Sequence, residues 1–245
     1  LVAAVKRGDV AVATIDKAVR RILSLKFQMG LFDDPFVDEK QAVQLVASSE
    51  HTGLAREVAR QSIVLLKNKD KLLPLKKDIR TLAVIGPNAD NVYNMLGDYT
   101  APQADGTVVT VLDGIRQKVS KETRVLYAKG CAVRDSSRTG FKDAIETARN
   151  ADAVVMVMGG SSARDFSSEY EETGAAKVTI NQISDMESGE GYDRATLHLM
   201  GRQLELLEEI SRLGKPVVLV LIKGRPLLME GAIQEAEAIV DAWYP

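Results

Sequence analysis

The chain has 245 residues, 45% of them hydrophobic, with 32 Lys and Arg against 34 Asp and Glu for a formal net charge of −2. That is ample for a core; with no basic run, and only 5% aromatics to stack bases, it argues against a nucleic-acid partner, and no apolar stretch is long enough to cross a bilayer. Cys131 is the single cysteine and His51 and His198 the only histidines, which excludes a disulfide framework or Cys-based metal site and makes a His-ligated metal or a Ser/His/Asp triad hard to build, so the chemistry falls to carboxylates.

The chain starts without an initiator Met or signal peptide and stops on Trp243, Tyr244 and Pro245, so both ends read as cut. In residues 12–31, Ile15, Val19, Ile22, Leu23, Leu25 and Phe27 recur at helical spacing, which predicts one or two helices over the first 31 residues, with Gly30 able to end the second. Asp33, Asp34 and Pro35 then break regular structure, and the stretch to about residue 49 reads as a linker. A domain boundary is expected here, because an amphipathic terminal helix needs a partner face.

Leu54, Val58, Ala59, Ser62 and Leu65 set a second helical pattern over residues 50–66, followed by a turn around Pro74. Strands are then predicted over 81–85, 123–127, 153–158, 216–222 and 238–240, alternating with helices over 109–119, 141–149, 199–213 and 228–234. This alternation implies right-handed crossovers and an α/β fold, a three-layer α/β/α sandwich around a mainly parallel sheet. The unbroken apolar runs from Val154 to Met158 and from Val217 to Leu221 fit strands buried on both faces.

Residues 159–198 separate one strand from the next helix, where such loops usually run about 2 to 6 residues. Long loops at the carboxyl ends of parallel strands are where open α/β sheets bind ligands. Inside this excursion lies Glu187-Ser188-Gly189-Glu190-Gly191-Tyr192-Asp193-Arg194. Gly189 and Gly191 free the backbone around Glu190 and let a bulky ligand come close. Such a loop either presents a carboxylate for proton transfer or simply faces water. An acid working near neutral pH needs apolar burial or a second carboxylate beside it, and Glu187 is a candidate to share that role or to be the acid in place of Glu190. An ion pair at Asp193 and Arg194 would pin the loop and leave Glu190 pointing elsewhere.

Other glycines mark strand ends at Gly86, at Gly159-Gly160-Ser161-Ser162 and at Gly224. No dinucleotide or P-loop pattern is present, so Gly86 and Gly224 read as tight strand exits, while Gly159-Gly160-Ser161-Ser162 is a candidate anion cradle. In the turn-rich stretch 94–106, with Gly97, Asp98, Pro102 and Gly106, Tyr99 offers either a stacking face for a sugar or an ordinary surface side chain. Retaining glycoside hydrolysis takes a second carboxylate about 5 to 5.5 Å from the acid. Asp185 and Glu187 are too close in sequence to oppose Glu190 across a sugar, so that partner is expected outside this chain.

Several segments in order carry a family resemblance. They are Ala59-Arg60-Gln61-Ser62-Ile63-Val64-Leu65-Leu66-Lys67-Asn68 with Leu73-Pro74-Leu75; Ala83-Val84-Ile85-Gly86-Pro87-Asn88-Ala89; Ser188-Gly189-Glu190-Gly191-Tyr192-Asp193-Arg194 with Leu197, Leu199 and Gln203; and Gly224-Arg225-Pro226. At these residues the chain resembles the second domain of glycoside hydrolase family 3, the β-glucosidase and β-xylosidase group. Residues 12–33 also resemble the helix and Gly-Leu-Phe exit that close the family's first domain.

The resemblance implies a (β/α)-barrel-like first domain carrying an aspartate nucleophile, and an α/β sandwich whose loop supplies the acid/base at the position of Glu190. Residues 1–33 are then the last helices of a truncated barrel, 34–58 a linker with a lead-in helix, and 59–245 the sandwich, cut at its C-terminus. Ser184-Asp185 is followed by Met186 and lies in the wrong domain for the nucleophile, and Arg225 is read only as part of a turn. Tyr99, Glu187, Asp193 and Arg194 are carried as substrate-binding or loop-orienting residues. The resemblance implies a small glycan or glycoside as substrate, no cofactor and no metal, and a periplasmic or secreted setting. The fragment alone is expected to be silent, and the competing reading is a non-catalytic carbohydrate- or partner-binding module.

Overall fold

The computed structural model describes residues 1–101, 103–163 and 185–245; Pro102 and the middle of the long connection after Gly159 lie outside the described residues. The chain divides into two compact units, Leu1–Ala55 and Arg56–Pro245.

The first unit holds α1 (Val2–Lys6), α2 (Val12–Gln28), α3 (Glu39–Leu45) and the first turns of α4 (Ser49–Ser62). α2 stops where the sequence predicts: the Met29 N–H donates to the Leu25 carbonyl at 2.9 Å, and Gly30 takes a left-handed φ of 69°. Along α2 the side chains of Ile22, Leu25 and Phe27 are exposed. α3 is a short helix inside the stretch read as a linker. Asp38 caps it, accepting from the backbone N–H groups of Lys40 and Gln41 at 2.9 and 3.1 Å, which is enough to start a short helix in a polar stretch.

The second unit runs β1 (Val64–Asn68), β2 (Thr81–Ile85), α5 (Val92–Leu96), α6 (Val111–Lys118), β3 (Arg124–Ala128), α7 (Phe141–Arg149), β4 (Ala153–Gly159), α8 (Gln203–Ser211), β5 (Val217–Ile222), α9 (Ala232–Glu235) and β6 (Ala238–Trp243). The strands form one sheet in the order β1-β6-β5-β4-β2-β3, parallel throughout except at β1. This is the α/β sandwich with a mainly parallel sheet that the alternation predicts.

β1 is the main correction. The helical pattern over 50–66 overruns: α4 ends at Ser62, and Val64 and Leu65 pair antiparallel with Asp241 and Val240 of β6. Ile63 and Val64 are β-branched and favour the strand once β6 offers a ladder. α8 and α9 start later than predicted, because Gly201 and Gly231 take left-handed φ of 62° and 82° just before them.

Alternate residues of the sheet feed two cores. Ile85, Met156 and Leu219 pack with Phe141 and Ala144 of α7 and Leu206 of α8, while Leu82, Val84, Val155 and Val157 pack with Leu112 of α6 on the opposite face. All of β4 is buried, as a parallel strand covered on both sides should be. The strands' carboxyl ends converge tightly. A Cβ at Gly86 would lie 2.1 Å from the Val157 carbonyl oxygen, and one at Gly159 would lie 2.0 Å from that of Ile222, so only glycine fits where the chain leaves β2 and β4.

Candidate active site

The exits of β2 and β4 and the start of the acidic loop are tied by buried amides and one hydroxyl. Asn88 Nδ2 donates to the Gly160 carbonyl at 3.0 Å, Asn94 Nδ2 donates to Asn88 Oδ1 at 2.8 Å, and Ser161 Oγ donates to Asn94 Oδ1 at 2.7 Å. The Ser161 carbonyl in turn accepts from the backbone N–H groups of Glu187 and Ser188 at 2.8 and 3.3 Å. Just upstream, Asp185 Oδ1 accepts from the N–H groups of Val133 and Arg134 at 3.0 and 3.3 Å, and the Arg134 guanidinium donates to the Met186 carbonyl at 2.7 Å. The loop therefore departs from a fixed base.

Glu187 and Arg194 close it. Their side chains form an ion pair at 0% and 5% exposure, and Arg194 also donates to the carbonyls of Thr196 and His198. Glu187 Oε1 lies over Gly160, where a Cβ would come within 2.0 Å of it. Glu187 is thereby committed to Arg194 inside the protein, a poor placement for the acid itself.

Glu190 stands at the exposed part of the loop between Gly189 and Gly191, which take positive φ of 106° and 79°. The Tyr99 hydroxyl donates to Glu190 Oε2 at 2.8 Å, and the Glu190 backbone N–H donates to Asp98 Oδ2 at 3.3 Å. The turn after α5 and the acidic loop, far apart in sequence, thus meet at this carboxylate. The apolar burial expected of the acid is not met at Glu190 among the described residues, and the second carboxylate beside it is Asp98. Held from both its backbone and its side chain, Glu190 can give and take a proton at a defined place.

Asp193 and Arg194 do not pair with each other's side chains. Arg194 turns inward to Glu187, and Asp193 faces Arg225 at 3.5 Å, so Arg225 is more than a turn residue. The Arg194 backbone N–H, bonded to Asp193 at 2.8 Å, and then Arg225 hold the Asp193 carboxyl below its ordinary value. The anion-cradle reading of Gly159-Gly160-Ser161-Ser162 loses its two glycine donors, because the Gly159 and Gly160 N–H groups are spent internally on Gln203 Oε1 and the Ile222 carbonyl, both at 2.9 Å.

Of the residues singled out in the sequence, the structure brings Glu187, Glu190, Asp193, Arg194 and Tyr99 into one region. Asp98 as a contact of Glu190, and Asn88, Asn94 and Ser161 as the buried tie beneath the loop, were not among them. Gly97 before Asp98, with φ of 79°, was the available signal, since it marks a turn that aims the next side chain. Among the described residues no group of His, Cys, Asp and Glu could hold a metal ion, and no helix is long and apolar enough to cross a membrane.

Residues 63–245 match the glycosyl hydrolase family 3 C-terminal domain. A β-xylosidase of Formosa agariphila is 40% identical over 238 residues, covering 94% of this chain and 29% of the relative. A periplasmic β-glucosidase of Salmonella typhimurium is 34% identical over 265 residues, covering 98% of this chain and 32% of the relative. Among solved structures, a β-glucosidase from Erythrobacter marinus superposes with a TM-score of 0.73 at 34% identity, over 99% of this chain and 33% of that one. A β-glucosidase involved in saponin metabolism from intestinal bacteria gives a TM-score of 0.75 at 29% identity, over 100% of this chain and 36% of that one. The chain therefore spans about a third of the length of each.

Proposed function

The chain belongs to glycoside hydrolase family 3, and from that premise we propose that Glu190 is the general acid/base of a retaining β-glycosidase that removes terminal β-linked glucose or a similar sugar such as xylose. The observation that carries the reading is the placement of Glu190: an exposed carboxylate on a glycine-flanked loop, built on the carboxyl ends of buried parallel strands and gripped by Tyr99 and Asp98. The names of the relatives, β-xylosidase and β-glucosidase, support the substrate class.

In the first half-reaction Glu190 gives its proton to the glycosidic oxygen as the bond from that oxygen to C1 breaks, while a carboxylate nucleophile bonds to C1. In the second half-reaction the Glu190 carboxylate takes a proton from water, the water oxygen bonds to C1, and the nucleophile leaves. The nucleophile is assigned to a barrel domain whose last helices are residues 1–33, joined through the linker 34–58. The exposed apolar side chains of α2 support a partner of that kind. The chain alone is then silent.

In the intact protein, Glu190→Gln should lower turnover of glycosides with poor leaving groups by about 10²- to 10⁴-fold. Azide should restore turnover of an activated aryl glycoside, because an anionic nucleophile needs no general base. Undiminished turnover in this variant would move the acid/base role elsewhere.

A further inference from the structure

Asp98 and Tyr99 meet Glu190 at both of its ends. Asp98 Oδ2 accepts from the Glu190 backbone N–H at 3.3 Å while its Oδ1 accepts from the Tyr99 N–H at 2.9 Å, and the Tyr99 hydroxyl reaches Glu190 Oε2 at 2.8 Å. The three residues close a ring of contacts around the carboxylate. Two backbone features make room for it. Tyr99 sits at a left-handed φ of 58°, uncommon for a residue with a bulky side chain. Gly189, at a φ of 106°, lacks the Cβ that would lie 2.8 Å from Asp98 Oδ2.

We propose that Asp98 and Tyr99 are positioning residues for the proton transfers of Glu190, Asp98 fixing where the backbone of the acidic loop stands and the Tyr99 hydroxyl fixing the rotation of the carboxylate. The proposal rests on the acid/base reading of Glu190. Proton transfer needs the donor within about 2.6 to 3.2 Å of its target, and a displacement of about 1 Å costs on the order of 100-fold in rate. Glu190 itself is exposed and flanked by two glycines, between the anchored ends of the loop, and Asp98 and Tyr99 hold it there from another part of the chain. Tyr99 is 81% exposed, so loss of its hydroxyl alone leaves the core untouched.

The test uses the intact protein with a series of aryl β-glycosides of graded leaving-group ability. Asp98→Ala and Tyr99→Phe should each lower kcat/KM by about 10- to 100-fold on poor leaving groups and far less on dinitrophenolate, through kcat and with KM little changed. Azide should raise turnover of the dinitrophenyl glycoside in both, and Asp98→Asn, which keeps one acceptor oxygen, should fall between Asp98→Ala and the parent. Should Asp98→Ala fail to fold, Tyr99→Phe decides. A parent-like Tyr99→Phe, a loss equal across all leaving groups, or a rise in KM alone overturns the proposal. Glu190→Gln is the reference: if it turns over normally the acid/base reading itself fails, whereas an impaired Glu190→Gln beside a parent-like Tyr99→Phe removes only the positioning role.

Discussion

Arg194 reaches back seven residues to Glu187, and the two form an ion pair with side chains 5% and 0% exposed. The pair joins the residue that opens the acidic loop to the one that ends it, so Glu190 rides on a closed arc. The Arg194 bonds to the carbonyls of Thr196 and His198 extend the same grip toward α8. A buried pair adds little to net stability compared with apolar residues of similar volume, but removing one partner leaves a buried charge stranded.

Arg194→Leu should therefore destabilise the chain by about 3–5 kcal/mol. For a domain of this size that is a fall of about 6–20 °C in Tm. The double variant Glu187→Met/Arg194→Leu should recover much of the loss, since it removes both charges. Thermal melts followed by circular dichroism check this, and an unchanged Tm for Arg194→Leu would mean that Glu187 is not held by Arg194.

Gly159 and Gly214 separate two reasons for a glycine. Both have positive φ, 131° and 68°, but a Cβ at Gly159 would lie 2.0 Å from the Ile222 carbonyl oxygen, whereas one at Gly214 meets nothing within 4 Å. Gly214→Ala should cost only the left-handed backbone penalty of about 1–2 kcal/mol. Gly159→Ala must also push β4 away from β5, so it should be the more damaging of the two in urea unfolding, with a clearly lower midpoint. Equal midpoints would show that the strand exit tolerates a side chain.

The parallel core was legible because each strand carries its own signal. The run from Val154 to Met158 is short, continuously apolar and rich in β-branched valine, which fits a strand covered on both faces, and the Phe141–Arg149 helix shows its apolar side at Phe141, Ala144 and Ala148. β1 was not legible, because Leu54, Val58, Ser62 and Leu65 continue one helical stripe through its first residues, and only β6, far along the chain, supplies the partner that makes a strand of Val64 and Leu65. The site divides in the same way. Glu190 is announced by its flanking glycines and by an oversized connection, both local properties of the sequence. Asp98 is not announced, because its role depends on a contact spanning 92 residues of sequence. Arg194 is legible but its partner is not, since proximity in sequence points to Asp193 while burial pairs it with Glu187.

Cys131 tests the core by its protons. Burial, the largest cause, with the Asp185 charge nearby, pushes its thiol up from 9.0 to about 12. Between those values the unfolded chain has lost a proton that the folded chain keeps, so stability is complete below the unfolded value and falls as pH rises through the window. Cys131→Ala should flatten that part of the pH-stability curve, whatever its effect at neutral pH. At pH 8 the native thiol should react with a disulfide reagent far more slowly than the unfolded one, because the thiolate is the reacting form. Labelling of the native chain at the unfolded rate would place Cys131 at the surface.

Asp193 titrates in the opposite direction, and its two partners can be told apart. The larger cause of its lowered pKa is the hydrogen bond from the Arg194 backbone N–H at 2.8 Å, with the Arg225 side chain at 3.5 Å second. A folded pKa below the unfolded one contributes stability that is present above the unfolded value and lost as pH falls through the folded one. The carboxylate is exposed, so the effect on global stability is small and the informative measurement is the titration of its own side-chain carbon by NMR. The midpoint in the parent should lie below 3.8, the ordinary value. Arg225→Gln should move it only part of the way back, because the backbone bond survives the substitution. Full return would make the guanidinium the principal anchor, and no movement would show that the contact between Asp193 and Arg225 is absent in solution.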